Sequence, residues 1–131
     1  MSYSDTLATI ALFVSVLGTV FSCLFSYNLS IKAEKRKEFN LIADKINPFL
    51  REEIEMVASG QYHHQMMTRE DCYQLMQICG KREGRKILVA FDLYEKAHNS
   101  CHEIVGGLYR LKDEEKLAIA ILNLIHLVRH K

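Results

Sequence analysis

Residues 7–27 read LATIALFVSVLGTVFSCLFSY, inside a longer run between Asp5 and Lys32 of 26 residues without a formal charge. An uncharged apolar stretch of about 18 residues or more is long enough to cross a hydrocarbon core as a helix. At about 1.5 Å of rise per residue, Tyr3 and Tyr27 stand about 36 Å apart, which suits two rings at opposite headgroup levels. A cleaved leader fits poorly, because no Lys or Arg precedes the run, the run is too long and no small-x-small site follows it. A buried core helix fits worse, since a chain of 131 residues can hardly cover so long an apolar rod on all sides.

The flanks set an expected orientation. Asp5 stands before the run, and Lys32, Lys35, Arg36 and Lys37 follow it. Basic residues stay on the cytoplasmic side, so the N-terminus is expected outside and the remainder in the cytosol. The same four cations set topology first, and are placed to hold anionic headgroups as well. All 17 basic side chains follow the run, with 15 of the 16 acidic ones. This near-balance, with no aromatics interleaved among the cations, does not call for nucleic acid. Four cysteines in a reducing compartment are expected as free thiols, and Cys23 as a packing residue within the bilayer. Asn28-Leu29-Ser30 would be a glycosylation sequon only on the opposite side, so it reads as a chance match.

Ala8, Ala11, Ser15, Gly18 and Ser22 recur at spacings of three and four residues through the run. Small side chains on one helical line let backbones approach closely in lipid. They form a candidate seam for self-association or for a second spanning helix, and the seven-residue rhythm favours left-handed crossing.

The expected organisation is a short tail (1–5), a transmembrane helix (6–29), a juxtamembrane stalk (30–46) and a cytoplasmic helical bundle (47–131). The fold class is therefore all-α: one N-terminal transmembrane helix continuing into a stalk, then a small antiparallel bundle. Phe39, Ile42, Ile46, Leu50, Ile54 and Val57 keep helical spacing, and Asn47-Pro48 predicts a kink or break among them. Ser59-Gly60 ends that segment. Thr68 and Asp71 form a capping box for a helix striped by Cys72, Leu75, Met76 and Cys79 and stopped by Gly80. Residues 81–86 read as a basic turn. Ile87, Phe91, Tyr94, Cys101, Val105 and Leu108 predict one longer helix, loosened at its end by Gly106-Gly107. Asp113 is expected to cap a last helix with core face Leu117, Ile121, Leu124 and Val128.

Candidate chemistry is sparse. Glu95, His98 and His102 would share one side of a helix, a workable geometry for Zn²⁺ or Fe²⁺ in a sensor or enzyme. A core His98 beside a surface ion pair accounts for the same residues and ranks first. His126 and His130 project away from the core face with Arg129, so they do not complete a four-histidine site. Cys72 and Cys79, seven apart, are too widely spaced for the usual zinc pair. Cys101-His102 adjacency is no sign of a catalytic pair, since neighbouring residues on a helix point apart. His63 and His64 fall in a polar loop that could bind metal or respond to pH. Lys81, Arg82, Arg85 and Lys86 lack the phosphate-loop pattern and, with His126, Arg129 and His130, are the candidate partner contacts. No cofactor and no small-molecule substrate is called for.

One N-terminal span followed by Ala33-Glu34-Lys35-Arg36-Lys37-Glu38-Phe39-Asn40 and about 90 helical residues resembles the small, uncharacterised single-span membrane proteins of bacterial and prophage genomes. The resemblance covers the architecture of the chain and carries no active residues. It implies a bacterial inner membrane and a role at the phage–host boundary, such as an accessory factor acting on a host membrane protein. The expected function is a non-enzymatic, membrane-anchored interaction module that meets membrane lipid and a protein partner or a second copy.

Overall fold

A computed structural model describes residues 2–129 and 131. Its helices are α1 (Tyr3–Ala58), α2 (Arg69–Ile78), α3 (Lys81–Ser100) and α4 (Glu114–Leu127), with strands β1 (His102–Val105) and β2 (Leu108–Leu111) between α3 and α4. The all-α class holds, with one small hairpin added. Two compact units divide the chain, Met1–Lys35 and Arg36–Lys131.

In the first unit every described side chain from Ser2 to Ser30 is exposed. The N-terminal part of α1 is long and apolar enough to cross a membrane. Two of its hydroxyls bond within the helix: Thr9 Oγ1 donates to the Asp5 carbonyl at 2.8 Å and Thr19 Oγ1 to that of Ser15 at 2.9 Å. That arrangement suits surroundings without water, where a loose hydroxyl would cost several kcal/mol.

In the second unit Phe39, Ala43, Ile46, Leu50 and Val57 of α1 are buried in one core with Leu75, Ile87, Phe91, Tyr94, Leu117, Ile121, Leu124 and Val128. α3 packs against both α2 and α4. The expected break at Asn47-Pro48 is absent, and Pro48 lies inside α1. A proline forfeits one helical hydrogen bond, and here tertiary contacts outweigh that loss. Ile46 and Leu50 are buried on either side, and Asn47 Nδ2 donates to the Val128 carbonyl at 2.9 Å. Asn47 thus caps the C-terminal end of α4 instead of opening a helix of its own. α1 ends as expected, with Gly60 at φ 77° and backbone bonds from Gly60 to Val57 and from Gln61 to Met56.

Thr68 caps α2 as its sequence implies, accepting from the Asp71 amide and donating to Asp71 Oδ2 at 2.7 Å. Residues 81–86 are not a turn. They form the first turns of α3, with Gly80 at the N-cap position. Gly84 faces Met76 of α2, whose carbonyl a Cβ there would meet at 3.5 Å, an ordinary van der Waals contact.

The predicted long helix stops at Ser100. Residues 102–111 are an antiparallel hairpin pairing His102 with Leu111, Glu103 with Arg110, Ile104 with Tyr109 and Val105 with Leu108. Gly106 and Gly107 have φ of 61° and 83°, the two positive values a tight hairpin turn demands. Cys101 keeps its place in the core, but Val105 and Leu108 point to solvent, so their helical spacing is coincidental. Asp113 precedes α4 in a left-handed conformation, and its side chain makes no capping bond. The core face predicted for α4 is buried as expected.

Candidate functional site

Two constellations stand out in the Arg36–Lys131 unit. The first is a surface groove between α3 and α4, about 490 Å³, floored by Val89, Leu93 and Leu127 and edged by Arg85, Lys86 and His126. No carboxylate lines it. A smaller cleft of about 220 Å³ continues past Lys86 and His126 to Arg129, Lys131 and Glu83. A third, about 560 Å³, joins His126 and Arg129 to Pro48 and Arg51 of α1. The structure therefore brings Arg85, Lys86, His126 and Arg129 to one side of the unit. Lys81 and Arg82 are exposed one turn earlier on α3. His130 lies outside the described residues.

Basic side chains in a helix's first turn oppose the macrodipole, each by about 0.3–1 kcal/mol. Lys81 and Arg82 sit there, with Glu83 as the only acid of that turn, and Glu83 is engaged by Lys131. This placement does not help the helix, and it explains why the segment reads as a turn.

The second constellation is buried. Glu53 of α1 is fully inaccessible; its Oε2 accepts from the Tyr94 hydroxyl at 2.6 Å, and that hydroxyl accepts from the Met67 amide at 3.2 Å. Among the described residues Glu53 Oε1 has no hydrogen-bond partner, and it stands 3.5 Å from His98 Nε2. His98 Nε2 lies 3.0 Å from the His63 carbonyl. A carbonyl only accepts, so this nitrogen carries the proton in neutral His98. Desolvation pushes the Glu53 carboxyl from its usual value of 4.5 up to about 7, against the opposing effect of the Tyr94 bond and nearby His63. Desolvation holds His98 below its ordinary value, against the His63 carbonyl. Tyr62 covers the group, its ring 5.2 Å from His98, 5.0 Å from His102 and 5.6 Å from Tyr109 in a stack.

His98 and His102 both reach the Tyr62 ring, but Glu95 does not join them. Glu95 is bound by Arg69, which also reaches Asp92 at 3.2 Å, and His102 lies in β1 with Nδ1 3.4 Å from the His98 carbonyl. Among the described residues no group of three His, Cys, Asp or Glu side chains is arranged to hold a metal ion. His98 is the core histidine that ranked first. The histidines that do gather are His64, His98 and His102, around Tyr62 and Tyr109, while the His63 ring meets Phe49 edge-on.

Sequence reasoning misses Glu53, Tyr94, Tyr62 and Tyr109. Two of these had a signal of burial: Tyr94 stands in the stripe of the predicted long helix, and Glu53 falls three residues after Leu50 and four before Val57, within the apolar stripe of α1. The cysteines are free thiols, and burial raises Cys72 to about 11 and pushes Cys79 and Cys101 up as well. Cys101 Sγ donates to the His98 carbonyl at 3.1 Å, so it is not paired with a base. Lys32, Lys35, Arg36 and Lys37 are exposed along α1, as are Ala8, Ala11, Ser15, Gly18 and Ser22.

No protein-family model matches this chain, and no curated protein and no solved structure matches it.

Proposed function

We propose that the chain is a membrane-anchored helical interaction module, without catalysis of its own, that holds a protein partner at the cytoplasmic face of a bacterial inner membrane. The observation that carries this reading is the α3–α4 groove, an apolar floor between cations with no acid in its lining. Such a surface fits an amphipathic helix that lays apolar side chains on Val89, Leu93 and Leu127 and acidic ones against Arg85, Lys86 and His126. Burial of the Cys72 and Cys101 thiols, which pushes both pKa values up, and the bond of Cys101 Sγ to the His98 carbonyl support a non-catalytic role. Orientation rests on Lys32, Lys35, Arg36 and Lys37 following the apolar run, with no cation before it.

The test is photocrosslinking of the full-length protein in native membranes from a probe at Val89. The expected capture is an acidic amphipathic segment, and Arg85→Glu with Lys86→Glu lowers it about 10-fold, the scale of two exposed ion pairs reversed. Lys35→Glu with Arg36→Glu leaves it unchanged. Capture that ignores the charge reversal contradicts the reading.

The seam of small residues is the proposed face for a second copy of the span. In α1 nothing lies within 4 Å of a Cβ built on Gly18, so this line is open to a neighbour. Gly18→Leu with Ser15→Leu is expected to abolish association of the span in a membrane two-hybrid assay. An unchanged signal removes the seam from the account.

A further inference from the structure

Asp44, Asn47, Pro48 and Arg51 follow one another on α1 at steps of three, one and three residues. Leu122, Ile125, His126 and Arg129 repeat the same steps along α4 and just past its end. Residues so spaced share one side of a helix. The two strips line the cleft of about 560 Å³ between α1 and α4, wholly within the Arg36–Lys131 unit. That volume lies in the range of small-molecule sites, about 300–1,000 Å³. His126 is the one residue this cleft shares with the apolar α3–α4 groove.

Two features of the lining call for a ligand. The first is charge. Arg51 and Arg129 reach the cleft from different elements, both exposed, and neither takes part in an ion pair among the described residues. Asp44 is the single carboxylate of the lining. A guanidinium is a planar fork of donors that accepts nothing, and the His126 imidazole adds a further N–H. The two oxygens of one carboxylate fill one fork, whereas a phosphate monoester brings three free oxygens to share between two.

The second feature is an orphan acceptor. Asn47 Nδ2 donates to the Val128 carbonyl at 2.9 Å, and since a carbonyl only accepts, the amide is fixed in that sense. Asn47 Oδ1 is then left buried, without a hydrogen-bond partner among the described residues. A buried acceptor is costly until a donor reaches it. A phosphate has no proton to spare for it at neutral pH, but a hydroxyl does. Pro48, Leu122 and Ile125 supply the apolar surface on which a carbon skeleton between the two groups can lie.

We infer that the α1–α4 cleft binds a phosphate monoester with a hydroxyl on a nearby carbon, the phosphate held by Arg51, His126 and Arg129 and the hydroxyl donating to Asn47 Oδ1. The chemistry is the same whether the ester is a soluble metabolite or the head of a single-chain lipid. The site does not depend on partner docking in the α3–α4 groove.

Isotope-labelled full-length protein in a neutral detergent is titrated with glycerol 3-phosphate, methyl phosphate and 1-oleoylglycerol 3-phosphate, and backbone and side-chain N–H resonances are followed. Saturable shifts are expected at Asn47, Arg51, His126 and Arg129. Methyl phosphate, which has no hydroxyl, should bind about 5-fold more weakly than glycerol 3-phosphate. Arg51→Gln with Arg129→Gln changes two exposed side chains and should weaken binding by about 10-fold or more. Arg85→Gln with Lys86→Gln, in the other groove, should leave it unchanged. Saturation by glycerol 3-phosphate supports the site with a soluble ligand. Saturation at the same residues by the oleoyl ester alone supports it with a lipid head. No saturable shift from either, or an affinity that ignores the Arg51 and Arg129 substitutions, overturns the site. Equal affinity for glycerol 3-phosphate and methyl phosphate overturns the hydroxyl contact at Asn47.

Discussion

Glu53→Gln raises the stability of the Arg36–Lys131 unit at pH 8 by up to about 3 kcal/mol. Glu53 is fully buried, and its carboxyl is raised from 4.5 to about 7 by desolvation. Converted at about 1.36 kcal/mol for each tenfold change, that elevation is a folding cost carried by the ionised form. For an acid whose pKa is raised in the folded state, the favourable contribution is complete below about 4.5 and is lost as pH rises through about 7. His98 works the other way. Its pKa is held down, so its contribution is present above its ordinary 6.5 and is lost on acidification. The wild-type unit is therefore expected to gain about 1 kcal/mol from pH 8 to 6.5 and then to level off as the two effects oppose each other.

Glutamine keeps an acceptor for the Tyr94 hydroxyl and removes the ionisation. Its stability should be higher at pH 8, by up to about 12 °C in midpoint for a domain of this size, and should decline below pH 6.5 because only His98 then titrates. Thermal unfolding of both proteins across pH 5–8 checks this. Parallel pH profiles for the two would show that Glu53 is not the group that titrates.

The second large effect concerns the span. Val14→Arg with Leu17→Arg places two charges near the middle of residues 7–27. Each costs about 2.5–3.5 kcal/mol at the centre of an inserted helix, and together they move the insertion equilibrium by a factor of roughly ten thousand. The doubly substituted protein is expected to leave the membrane fraction for the soluble or degraded one, while Val14→Ala with Leu17→Ala remains inserted. Retention of the arginine variant would mean that something other than the apolar run holds the chain.

Elements that answer to one local rule were legible in the sequence. The uncharged run, the stripe from Phe39 to Val57, the Thr68 cap and the face Leu117, Ile121, Leu124 and Val128 follow from charge, period and capping chemistry, and all four appear in the fold. What failed did so where tertiary contacts overrode a local signal. Pro48 continues a helix because Ile46, Leu50 and the Asn47–Val128 bond hold it there. The hairpin was hidden because Cys101, Val105 and Leu108 happen to keep helical spacing, although Gly106-Gly107 is a strong turn signal. Of the groove, Arg85, Lys86 and His126 were readable as polar side chains without a structural duty, but their meeting across α3 and α4 needs the packing. The buried group was the least legible. Glu53 and Tyr94 are 41 positions apart, and no local pattern joins them.

The central claim is that the N-terminal part of α1 lies in a bilayer. Membranes from cells producing the unmodified full-length chain, washed at alkaline pH and floated on a density gradient, examine it most directly. The protein should rise with the lipid and stay there after the wash. Its recovery in the alkaline supernatant would contradict the account.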